Sequence, residues 1–148
     1  MKVDDALRGV TRLGLDTAPV IYFVEANPRY DAVVTAIFQR FVDGRCRGIT
    51  SVVTLSEVLV RPLALSDQSA QAMYVGVLRD EEGLDVRSID APTAVQAASL
   101  RARHRLSLPD ALQVSAALQA GCQAFLTNDL RLKRVTELRV LVLDELEL

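Results

Sequence analysis

Short apolar runs alternate with longer amphipathic stretches along the chain, the pattern of strands interleaved with helices. Residues 13–16 (LGLD) read as a short buried strand. Thr17, Ala18 and Pro19 then open a helix, since proline is tolerated in a first turn, and Asn27-Pro28 ends it. Tyr30, Val33, Val34, Ile37, Phe38, Phe41 and Val42 recur at three- and four-residue steps. They predict a second helix with one continuous apolar stripe, closed by Gly44. That stripe suits the core, and its edges suit a groove for a partner.

Residues 46–50 (CRGIT) predict a second strand, followed by a helix that starts near Ser51 or Thr54 and stops before Pro62. Ser66 and Asp67 can cap another helix, with Ala70, Met73, Tyr74, Val77 and Leu78 on one face. Residues 85–89 (DVRSI) alternate like a strand. Asp90 and Pro92 begin a helix reaching about Arg103. Ser107 caps the next, from Pro109 to Ala120, and Gly121 terminates it. Residues 122–127 (CQAFLT) and 140–143 complete the strands. This order predicts an α/β fold, a three-layer sandwich whose mainly parallel central sheet is flanked by helices. The length fits a single domain over 1–148.

Half of the residues are hydrophobic, ample for a core and rich enough to suggest apolar surface covered by a partner. The formal charge of −2 is not that of a protein that coats nucleic acid. Basic residues nevertheless cluster at Arg101, Arg103 and Arg105 and at Arg131, Lys133 and Arg134. Nearly all of the basic residues are arginines, whose planar fork suits phosphate. Cys46 and Cys122 lie in apolar stretches without a zinc-like spacing, so they read as buried free thiols in a reducing, cytoplasmic setting. No signal peptide or membrane-spanning run is legible.

The candidate chemistry lies in four acids. Asp16 ends a strand and precedes a helix. Glu57 follows a strand in the first turns of a helix. Asp110 is in a helix's first turn, and Asp129 follows a strand by two residues. In a parallel sheet, strand ends and helix starts share the edge where ligands bind. Each acid also has a local explanation: a cap, a capping box over Thr54–Glu57, a favourable helix dipole, an Asx turn. As a set they repel. Two charges about 4 Å apart interact by roughly 4 kcal/mol at an effective dielectric of 20. Raised pKa values or a hard cation must offset that. Oxygen ligands without His or Cys select magnesium, manganese or calcium, and such a site suits hydrolysis of a phosphodiester.

Four segments resemble the signature segments of PIN-domain nucleases: LDTAPVIYFVE (15–25), TLSEVLVRPL (54–63), LSLPDALQVSAAL (106–118) and FLTND (125–129). They are most similar to the VapC-type toxins of bacterial toxin–antitoxin pairs. The resemblance implies a Mg2+- or Mn2+-dependent ribonuclease with Asp16, Glu57, Asp110 and Asp129 as catalytic and metal-binding residues. Thr17, Thr127 and Asn128 fall on its supporting positions. It also implies an RNA substrate, a homodimer and a small antitoxin whose tail lies in the active-site groove. Arg61, Arg103, Arg105 and Arg131 are candidates to contact RNA. Arg61, one turn after Glu57, equally fits a local ion pair. His104 fits a helix-end role better than a proton shuttle.

The chain departs from the family in three places, one of them its slightly negative overall charge. No acid lies between Asp110 and Asp129, and about a dozen residues precede the first strand. A housekeeping RNA-processing nuclease would carry the same site. A magnesium-binding receiver-like signalling domain would need an adjacent acid pair after its first strand, and Asp4-Asp5 precede it here.

Overall fold

The computed structural model describes residues 1–79 and 83–148. Five strands form one all-parallel sheet: β1 (Arg12–Leu15), β2 (Arg47–Ser51), β3 (Leu84–Arg87), β4 (Ala124–Thr127) and β5 (Arg139–Val142), in spatial order β3-β2-β1-β4-β5. Because side chains alternate along a strand, β1 sends Leu13 and Leu15 to one face and Gly14 to the other. Two apolar cores result. One gathers Leu13, Leu15, Leu126, Ile37 and Phe38. The other gathers Ile49, Phe125, Leu100, Val114 and Leu132.

Helices α1 (Val3–Ala6), α2 (Thr17–Val24), α3 (Asp31–Val42), α4 (Val52–Ala64) and α5 (Gln68–Val77) contribute to the first core. α6 (Ala91–His104) and α7 (Leu108–Gln119) contribute to the second, together with a 3-10 helix over Leu130–Arg134. The expected three-layer α/β sandwich is therefore present, with the sheet wholly parallel among the described residues.

Several local expectations shift. α4 does not stop before Pro62 but runs through it to Ala64. Pro62 sits in the last turn, where it forfeits the bond to the Val58 carbonyl but disturbs only the helix end, and its ring is buried. The helix starts at a Ser51 cap, whose Oγ accepts the Val53 N–H at 3.1 Å, so Thr54 is interior and buried and the Thr54–Glu57 capping box does not form. The residues before β1 form the helical turn α1, which packs into the first core. The stripe of α3 is core at Val34, Ile37, Phe38 and Phe41, while Val42 is exposed. Cys46 and Cys122 are free and buried, one in each core.

Gly14 is required by packing. A Cβ there would lie 2.6 Å from the Ala117 Cβ and 2.8 Å from the Phe125 ring. This close approach lets α7 lie directly on β1, which sets where the first residues of α7 emerge.

Candidate active site

The order of the sheet places a switch point between β1 and β4, since the chain first winds outward through β2 and β3 and then crosses to β4. The crevice outside the carboxyl ends of such strands is where ligands bind in open α/β sheets. Asp16 follows β1 and Thr127 ends β4. They are joined across the crevice: Thr127 Oγ1 donates to Asp16 Oδ2 at 2.7 Å. The same Thr127 oxygen accepts the Asp129 N–H at 3.0 Å, so one hydroxyl ties the first acid to the last.

Asp16 is also the N-cap of α2, with Oδ1 accepting the Thr17 N–H at 2.8 Å. Its carboxyl is pushed up from the ordinary value. Burial is the main cause, and the neighbouring charges of Asp110 and Glu57 add to it. The bonds from Thr127 and Thr17 oppose the shift. Three acids from distant segments thus feel one another at this edge.

Glu57 lies in the second turn of α4 and accepts the Thr17 hydroxyl at Oε1, at 2.8 Å. Asp110 is in the first turn of α7, whose Ser107 cap takes its N–H at 3.3 Å. Asp129 is held differently. Arg131 closes on it through Nε and a terminal nitrogen at 3.0 and 2.8 Å, and this guanidinium holds its carboxyl below the usual range. Arg131 also feels the charge of Asp110.

The expected crowding of four carboxylates is therefore relieved in part by an arginine of the same chain. Among the described residues no three His, Cys, Asp or Glu side chains lie close enough together, as they stand, to hold a metal ion. The donor set still fits a hard divalent cation. Magnesium takes one or two carboxylates and keeps several waters, so an open acidic edge made only of oxygen donors suits it.

The supporting positions divide. Thr17 and Thr127 both touch the acids. Asn128 does not support the last acid, because its amide turns to Tyr30 and its Oδ1 accepts the Asp144 N–H at 3.1 Å. Of the arginine candidates for RNA contact, Arg105 and Arg131 line the small cavity that contains Asp110, together with Arg134. Arg103 pairs with Glu137 at 3.3 Å, beside His104, whose Nε2 lies 2.7 Å from the same carboxylate. His104 thus serves the end of α6. Among the described residues Arg61 forms no ion pair with Glu57. Both line a cavity of about 640 Å3 with Ile21, Val58, Leu65 and Tyr74.

One part of the site escapes sequence reasoning. Behind Thr17 lies a buried polar cluster of Thr50, Ser51, Thr54 and Gln113, each 3% exposed or less. Gln113 stands three residues after Asp110, on the same face of α7. That spacing is the one signal that could have flagged it.

The family model described as PIN domain matches residues 14–138. No curated protein matches. Among solved structures the chain resembles VapBC2 from Rickettsia felis bound to a promoter DNA fragment. The identity is 15% and the TM-score 0.70, covering 88% of this chain and 98% of that one. It also resembles a toxin–antitoxin complex from Klebsiella pneumoniae, at 18% identity and TM-score 0.64, covering 89% and 97%. DNA-bound VapBC from Salmonella typhimurium is similar at 19% identity and TM-score 0.64, covering 90% and 98%. With the match spanning all four acids and most of the chain, the chain belongs to the PIN domain family.

Proposed function

We propose that this chain is a Mg2+- or Mn2+-dependent endoribonuclease and the toxin of a toxin–antitoxin pair. The observation that carries the reading is Asp16: a half-buried carboxylate at the switch point of a parallel sheet, pushed up by burial and by the charges of Glu57 and Asp110. A protein keeps such an arrangement at a cost in stability, and a function explains it.

In this reading Asp16, Asp110 and Asp129 supply the oxygens that hold the cation, with Glu57 beside them. When bound, the cation stabilises charge on the phosphoryl oxygens and makes the attacking water more acidic. Glu57 Oε1 is committed to Thr17, and Oε2 has no hydrogen bond among the described residues. Oε2 is the acceptor for the proton of the water that attacks phosphorus as the bond to the leaving ribose oxygen breaks. Arg105 and Arg131, beside Asp110, hold the flanking phosphates.

The likeness to toxin–antitoxin complexes supports a small protein antitoxin. The cavity beside Glu57 continues into exposed apolar side chains at Leu65 and Met73, which suits an amphipathic segment of that partner. Work as a homodimer follows the same family likeness. Buried free thiols fit the reducing cytoplasm, and among the described residues no helix is long and apolar enough to cross a membrane.

Purified protein incubated with total RNA, with magnesium and with EDTA, tests the reading. Cleavage is expected only with magnesium, and Asp16→Ala or Asp110→Asn is expected to slow it by about 10²–10³-fold or more. Full activity in both variants, or no cleavage by the parent protein, overturns the assignment. A short DNA-binding protein encoded beside this chain and suppressing the activity separates a toxin from an RNA-processing nuclease.

A further inference from the structure

The buried cluster behind Thr17 has a direction. Gln113 Oε1 accepts the Ser51 hydroxyl at 2.5 Å, and Nε2 donates to Thr17 Oγ1 at 3.2 Å and to Thr54 Oγ1. Ser51 Oγ receives the Val53 N–H at 3.1 Å and donates its own proton. The amide oxygen is its acceptor. In this orientation the amide nitrogen faces the threonines.

Thr54 Oγ1 receives a proton from Gln113 and lies 2.8 Å from Thr50 Oγ1, whose single proton is shared with the Leu15 carbonyl at 3.1 Å. The Thr54 hydroxyl also lies 3.2 Å from Thr17 Oγ1. Thr17 accepts from Gln113, and its single proton goes to Glu57 Oε1 at 2.8 Å, because the carboxylate can only accept. The chain of donors ends on a carboxylate. No buried side-chain polar atom of the described residues is left without a partner, so the arrangement cannot rotate cheaply.

We propose that Gln113 is a positioning residue for Glu57: acting through Thr17, it holds that carboxylate at the carboxyl edge of the sheet and sets how tightly the chain takes up a divalent cation. This rests on the nuclease reading of the acids. It assigns to a residue without charge, remote from substrate, part of the cation affinity. A tighter cation follows from pre-orientation: a Glu side chain already held in one rotamer loses less freedom when it becomes a ligand or an acceptor for bound water.

The test is the affinity of the full chain, stripped of metal, for Mn2+, read from free Mn2+ by electron paramagnetic resonance. Gln113→Leu is expected to weaken binding by roughly 10-fold. In a Glu57→Gln background the same substitution is expected to have no further effect, since the group it positions is gone. Equal loss in both backgrounds, or none in either, overturns the inference about Gln113 and leaves the nuclease reading standing. Parent protein that takes up no Mn2+ overturns the nuclease reading and this inference with it. Circular dichroism checks folding. If Gln113→Leu does not fold, Thr17→Val breaks the relay one bond later. It is then expected to show the same roughly 10-fold loss, and unchanged affinity overturns the proposal.

Discussion

Asp16 serves three purposes with two oxygens: it caps α2, receives Thr127 across the crevice, and faces the other acids. Its pH behaviour follows from the direction of its shift. A carboxyl raised above its unfolded value contributes stability that is whole below the unfolded pKa and is lost as pH rises through the folded one. At neutral pH the charge therefore weakens the metal-free fold. Asp16→Asn is expected to raise the Tm of metal-free protein at pH 7, on the order of 1 kcal/mol or a few degrees. The gain should vanish below the ordinary carboxylate range. A Tm that falls at pH 7 would show that the cap and the Thr127 bond outweigh the buried charge. Arg131 is the counterpart. It neutralises Asp129 from an exposed position, so it competes with any cation for that carboxylate. Arg131→Ala is expected to bind Mn2+ more tightly and RNA more weakly, with the salt dependence of RNA binding shallower by about one ion. Filter binding across a salt series reads both the affinity and the slope.

At the level of elements, the contact of β1 with α7 carries the site. Gly14 has no room for a Cβ against Ala117 and Phe125, and α7 carries both Asp110 and Gln113. Gly14→Ala is expected to cost about 1–3 kcal/mol by urea denaturation, the usual range for overpacking a core. Ala117→Gly in the same chain should recover part of that, because it removes the nearer of the two obstacles; no recovery would place the strain on Phe125 instead. The elements themselves were legible because their signals are local. Short apolar runs marked β1, β2 and β4, alternation marked β3, and the three-four spacing of Val34, Ile37, Phe38 and Phe41 marked α3. The acids could be read by position alone, each beside a strand end or in the opening turns of a helix. Gln113 and Thr54 were not legible. A polar residue inside an amphipathic helix reads as solvated, and what buries Gln113 is a set of hydroxyls around sixty and a hundred positions away in the sequence. Asn128 failed for a similar reason: its partners, Tyr30 and Asp144, come from segments that periodicity does not connect. Arg131 was read as a phosphate contact, and its closure on Asp129 depends on a 3-10 helix that the sequence does not announce.

For the whole molecule, the sheet separates two cores and each core holds one thiol: Cys46 with Leu13 and Phe41, Cys122 with Phe125 and Leu138. Burial pushes the Cys122 thiol up to about 12 and raises that of Cys46 as well, so neither presents the reactive thiolate at pH 8. Labelling by iodoacetamide must then wait for the structure to open. β1 faces both cores, with Leu13 and Leu15 on one side and Gly14 on the other, so loss of either core removes a wall of the other. The two thiols are therefore expected to become reactive together, with the same dependence on urea, and to be inert in the native protein. Peptide mass spectrometry after timed labelling distinguishes them. If Cys122 labels at a urea concentration where Cys46 is still protected, α6 and α7 open as a separate unit. The edge that gathers Asp110 with Asp16 would then be the weakest seam of the fold. If they label together, the acids are held apart from collapse, and near enough to act as one site, by the cooperativity of the entire sandwich.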